Sequence, residues 1–164
     1  CWGKNDKNQL GGSGSGMSVL QVPGLEGTSN DGTKAIKLAL GEKFSCAIVQ
    51  QNSGQHGLKC WGANNLKQMG GTITGATSAP QTVIAPSVLN SYIADVSAKG
   101  DSACAMKSNG EVWCWGANGS SQTNKTKSTS ESLRIVDQSL STFSLDPANE
   151  NKDLNSYQPV INLE

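Results

Sequence analysis

The sequence predicts an all-β protein built from repeated antiparallel β-meanders. Three observations carry that prediction. A Cys-Trp-Gly-x-Asn-x3-Gln motif occurs three times, beginning at Cys1, Cys60 and Cys114. A second block, residues 38–47 (LALGEKFSCA), aligns without gaps to residues 96–105 (VSAKGDSACA) and places Cys46 on Cys104. Helical periodicity is weak throughout, and repetition at about 55 residues marks an architecture whose units are single supersecondary pieces.

Taken in order, the first copy supplies Cys1, Trp2, Gly3, Asn5 and Gln9, followed by Leu10-Gly11. The run Gly11 to Gly16 follows no strand-to-helix junction and contains no Lys, so it is read as a flexible loop and not a phosphate cradle. The second copy supplies Cys60, Trp61, Gly62, Asn64 and Gln68, and the third Cys114, Trp115, Gly116, Asn118 and Gln122. Between Cys46 and Cys60 a five-residue loop, Gln51 to Gln55, sets the two Cys opposite each other across a hairpin. A three-residue loop with Gly in the left-handed position, Ser108-Asn109-Gly110, does the same for Cys104 and Cys114 and sets Ala105 against Trp113. Two different loop lengths thus lead to one pairing.

Facing Cys on neighbouring strands fit a disulfide, a pair of buried thiols or zinc ligands. Zinc sites favour Cys-x2-4-Cys spacing, which is absent here, and disulfides are the favoured reading. Each would close a short loop and stabilise by roughly 3 kcal/mol. Cys1 is left unpaired, because its partner by the same offset would precede the first residue. The odd Cys is therefore read as a cut point in a longer chain in preference to a lipid-bearing first residue.

Trp113 and Trp115 share one strand face while Val112 and Cys114 share the other, so the sheet needs cover on both sides. Identical sheets stacked face to face meet that need, and a ring of them is a β-propeller. The Cys-Ala block, the Gly turn, the Cys-Trp-Gly-x-Asn-x3-Gln-apolar-Gly motif and a later Pro80-x-x-Val83 together resemble the regulator-of-chromosome-condensation repeat, in a Cys-rich variety like that of bacterial secreted and surface proteins. The resemblance covers residues 1–124 and implies two to three blades of a partial, unclosed propeller, with the remaining blades supplied by the rest of a full-length chain. Residues 125–164 change character: 125–132 (KTKSTSES) read as a polar loop, 133–136 and 157–163 as strands around a turn at Asp146-Pro147-Ala148-Asn149, together divergent strands or a decayed blade.

The 13 basic and 13 acidic residues cancel, and Ser, Thr, Asn and Gln make up about a third of the chain. That surface gives no electrostatic reason to expect nucleic acid or an anionic membrane as partner. No apolar run approaches the length of a membrane span. His56, the single His, lies beside a turn with no nucleophile or orienting acid near it in sequence, and is read as a solvated turn residue. No catalytic residue, metal ligand or cofactor is assigned. The sequence therefore points to a non-catalytic protein-interaction module, extracellular or in the cell envelope because disulfides persist in oxidising compartments. Its variable segments, 12–34, 51–57 and 71–91, would carry specificity for a protein partner. The resemblance also implies a guanine-nucleotide exchange role on a small GTPase, or inhibition of a secreted enzyme.

Overall fold

The computed structural model describes residues 1–14, 19–70, 73–87, 92–120 and 130–135. Strands β1 (Lys34–Leu40), β2 (Phe44–Gln50), β3 (His56–Gly62) and β4 (Thr77–Ser87) form one antiparallel sheet in that order. Strands β5 (Ile93–Lys99), β6 (Ser102–Lys107), β7 (Val112–Ala117) and β8 (Ser130–Ile135) form a second. Two all-antiparallel four-stranded sheets, stacked and unclosed, are the blades of a partial propeller. Among the described residues no helix is long and apolar enough to cross a membrane.

The hairpin loops fix the register. Gln51 N–H donates to Gln55 O at 3.0 Å, and Lys107 N–H to Glu111 O at 2.8 Å, so each loop closes on a hydrogen-bonded pair. Bonded and non-bonded pairs alternate along an antiparallel ladder. Counting five positions back from Gln51, or three back from Lys107, reaches a non-bonded site, where β-carbons come closest. Cys46 stands opposite Cys60 and Cys104 opposite Cys114 at those sites, each with Cα atoms 4.1 Å apart, and both pairs are disulfides. Cys1 is the free Cys, half-buried.

The two blades meet through unlike faces. Phe44, Cys46, Ile48, Leu58 and Cys60 of the first sheet pack against Ile93, Val96, Ala103, Ala105 and Trp115 of the second. Disulfide bulk thus lies on alanines, and Trp115 closes the seam with no exposed area. The opposite face of the first sheet, Ala47, Val49 and Trp61, is covered by Val22 and Leu25 of the N-terminal segment. β2 is buried along nearly its whole length because both its faces are covered. The second disulfide lies on the far side of its sheet, away from that seam, and Cys104 is partly exposed.

Three expectations change. The segment 71–91, read as a variable loop, contains β4. Pro80 and Pro86 fit there because β4 is an edge strand whose pairing with β3 slips register three times. Ser130, Glu131 and Ser132, read as loop, begin β8, which pairs with β7 and completes the second sheet. His56 is not a solvated turn residue: it opens β3, is half-buried, and its Nδ1 lies 3.2 Å from Ile93 O. The expected turn at 146–149 and strand at 157–163 lie outside the described residues.

Access to attacking thiolate governs disulfide exchange. Under graded reductant with alkylation and peptide mapping, Cys104 and Cys114 are expected to be labelled first. Cys46 and Cys60, both fully buried, should follow only as the fold opens. Simultaneous release of all four thiols would contradict this order.

Candidate functional site

The recurring motif residues hold one another and the next repeat. Asn5 Oδ1 accepts the N–H of Leu10 at 2.9 Å, and Asn64 Oδ1 accepts that of Met69 at 2.9 Å. Their amide nitrogens donate onward, Asn5 to Gly12 O and Gly14 O, Asn64 to Ile73 O. Gln9 Oε1 takes the Lys7 N–H and Gln68 Oε1 the Leu66 N–H, at 2.8 and 2.9 Å. Asn8 and Lys67 adopt φ of 63° and 61°, so both copies make the same turn. Each turn aims one main-chain carbonyl at the following blade. Trp61 Nε1 donates to Gln9 O at 3.0 Å, and Trp115 Nε1 to Gln68 O at 2.7 Å.

The motif glycine serves the same junction. Gly62 and Gly116 have φ of 107° and 102°, a region that L side chains rarely enter. Ala63 N–H donates to Lys43 O at 2.8 Å and Ala117 N–H to Asp101 O at 2.9 Å, which draws the end of each third strand under the turn between the first two. A Cβ on Gly62 would stand 2.6 Å from Lys43 O. Gly3 has the same φ, 113°, but its Cβ would meet nothing, and Trp2 beside it is 75% exposed. In the third copy Asn118 is fully buried, while Gln122 lies outside the described residues.

At the other end of the sheets the hairpins close alike, but the side-chain contacts described there differ between the blades. Asp31 accepts from Ser29 Oγ, Thr33 Oγ1 and Thr33 N–H through one carboxylate oxygen, and from Gln51 Nε2 through the other. Its main-chain carbonyl takes the Asn52 N–H. Thr33 above all, then Ser29 and Gln51, hold its carboxyl well below the usual carboxylate range. His56 meets the Tyr92 ring edge-on, centroids 5.0 Å apart. Lys107 pairs with Glu111 at 2.9 Å, lowering the pKa of that carboxyl, and its ammonium lies 4.7 Å above the Trp113 ring. Trp113 Nε1 is buried and reaches no acceptor with hydrogen-bond geometry. Sequence reasoning missed the Asp31 and Tyr92 contacts, because each partner lies on another loop at no regular spacing.

Trp115→Phe removes the donor to Gln68 O, and Ala103 stands in its blade where Ser45 stands in the other. That change should destabilise by about 1–3 kcal/mol. Trp61→Phe should cost less, because Ser45 Oγ still donates to Gln9 O at 2.9 Å. Chemical denaturation of the two variants checks the order. For Asp31, the folded pKa lies below the reference 3.8. Its contribution to folding is therefore fully present above the unfolded value and is lost as pH falls through the depressed folded one. The Thr33 amide resonance should titrate well below pH 3.8; a midpoint at or above it would contradict the network.

Residues 93–122 match the family model of the regulator of chromosome condensation (RCC1) repeat. In three dimensions the chain is similar to yeast RCC1 (Prp20) in its complex with Kap60, with a TM-score of 0.62 at 19% identity, covering 82% of this chain and 32% of that one. It is similar to Prp20p from Saccharomyces cerevisiae, described with its binding to Gsp1p and histones, at 0.61 and 22% identity, covering 82% and 33%. Human WBSCR16 gives 0.58 at 19% identity, covering 84% and 34%. At these identities the likeness is one of fold, and the chain spans about a third of the length of each of these proteins. Among curated proteins none matches the sequence. The recurring motif, the two stacked four-stranded blades and these likenesses together give the chain the fold of a β-propeller segment, with a regulator of chromosome condensation repeat matched at residues 93–122.

Proposed function

We propose that the chain is a non-catalytic protein-binding segment of a larger propeller, working in an oxidising compartment outside the cytosol, with further blades supplied by a longer chain. The observation that carries this reading is the division of labour along each blade. The motif's Trp, Asn, Gln and Gly are committed to the junction between repeats, while the loops at the other end differ in length and sequence and stand exposed. Variable loops on a rigid repeated scaffold are where recognition resides. The fold relatives support a protein as partner: Prp20 is described with Kap60, Gsp1p and histones. Two disulfides support the compartment. Inhibition of a secreted enzyme would be one form of such binding.

The second reading is guanine-nucleotide exchange on a small GTPase, favoured by the likeness to yeast RCC1. The disulfides weigh against a cytosolic partner of that kind. Fractionation of the producing cells, with thiols blocked at lysis, separates the readings. The protein is expected in the exported or envelope fraction with Cys46, Cys60, Cys104 and Cys114 oxidised, and without effect on nucleotide release from purified small GTPases. A cytosolic protein with free thiols that accelerates release would overturn the proposal.

A further inference from the structure

The seam between the two sheets shows what one sheet face requires of the next. On the second sheet Ile93, Val96, Ala103, Ala105 and Trp115 lie beneath Phe44, Cys46, Ile48, Leu58 and Cys60, the disulfide-bearing face of the first. The same repeat positions on the first sheet are Ala35, Leu38, Ser45, Ala47 and Trp61. Ser45, Ala47 and Trp61 are buried, but Ala35 is exposed, Leu38 is 54% exposed and Leu40 beside them 63%. Cover therefore reaches β2 and β3 and stops short of β1.

Residues 1–3 form part of that cover as a strand with one free edge. Cys1 and Leu20 exchange two main-chain hydrogen bonds, each of 2.7 Å, as a bonded pair on antiparallel strands does. Cys60 opposite Gln81 holds the same place in the first blade. Residues 1–3 thus correspond to a third strand, and Trp2 N–H and C=O, which face away from Leu20 by the alternation of such a ladder, meet no partner among the described residues. Lys4 N–H, at the position of Ala63 and Ala117, likewise reaches no carbonyl among them. Gly3 keeps the φ of Gly62 and Gly116, although nothing stands within 4 Å where those two meet the turn between the first two strands of their own blade. Cys1, the free Cys, lines an apolar hollow with Val22, Leu25, Ala35, Leu38 and Trp61.

The open apolar face, the unpaired strand edge and the free thiol adjoin one another, and at the equivalent place in the first blade one element meets all three needs: the hairpin of β1 and β2. Building on the longer-chain reading above, we infer that this open seam is the docking site of a β-hairpin of the same repeat type. Its second strand pairs with residues 1–3, its Cys stands opposite Cys1 and bonds to it, and its apolar residues cover Leu38 and Leu40. The bond forms by thiol–disulfide exchange in the oxidising compartment. Cys1 gives its proton to solvent, its thiolate attacks the hairpin sulfur of a mixed disulfide with a small thiol, and the small thiol leaves with the electron pair, so that one S–S bond forms as one breaks.

The probe is a synthetic peptide of residues 34–50, which carries Phe44, Cys46 and Ile48, with Cys46 as its mixed disulfide with glutathione. Incubated with the intact, disulfide-bonded chain under graded glutathione, it should be captured on Cys1 about tenfold or more in preference to a scrambled peptide with the same single Cys, because docking raises the effective concentration of the two sulfurs. Leu38→Asp in the chain, a change at an exposed position that should leave the circular dichroism unaltered, should remove most of that preference. In the adduct the Trp2 and Lys4 amides should gain protection from hydrogen exchange, which a merely reactive thiol would not confer. Equal capture of the scrambled peptide, unprotected Trp2 and Lys4 amides, or Cys1–Cys1 dimers that exclude the hairpin would overturn this inference. None of these outcomes touches the protein-binding reading, which concerns the loops at the other end and stands or falls on the fractionation above.

Discussion

The indole N–H of one repeat, donated to the main-chain carbonyl of the repeat before it, is the contact on which the rest of this structure depends. It appears twice, from Trp61 to Gln9 O and from Trp115 to Gln68 O. A carbonyl can receive a bulky indole from another sheet only if its own loop is fixed. That loop is fixed by Asn and Gln side chains folded back onto its N–H groups, with a left-handed residue between them. The indole is fixed in turn by a glycine that lets the strand end pass beneath the neighbouring turn. The motif is thus one mechanical unit, and losing any member misplaces the others. Coupling of this nearest-neighbour kind is what lets a repeat array grow blade by blade.

Much of this was legible in the sequence because it follows from counting. A hairpin's loop length sets its register, so five residues in one blade and three in the other both bring Cys to Cys. The side-chain period of two sets Trp113 and Trp115 on one face. Where counting fails, so did the reading. β4 carries two prolines and slips register against β3 at three places, so no alternation survives in residues 77–87 to mark a strand. The indole bond was invisible because its acceptor is main chain, which every residue has. The Asp31 and Tyr92 contacts join loops that share no period, and only three-dimensional closeness reveals them.

Magnitude decides what holds one blade to the next. Lys37 and Asp95 occupy equivalent positions in the two repeats, each just after a register shift, and pair at 2.5 Å across the seam between β1 and β5. Their side chains are 47% and 48% exposed, and pairs of that kind contribute about 0–1 kcal/mol. Phe44, Ile48, Leu58, Ile93 and Trp115 are each buried to within 1% at the same seam. A fully buried large apolar side chain is worth about 1.5–3 kcal/mol. Apolar burial therefore supplies the attraction, and the indole bond chooses the registry, since a buried carbonyl left without its donor costs about 1–3 kcal/mol. Polar side chains at the motif end are spent on that choice. The hairpin loops at the opposite end receive no indole of this kind among the described residues, and they differ in length and sequence between the blades.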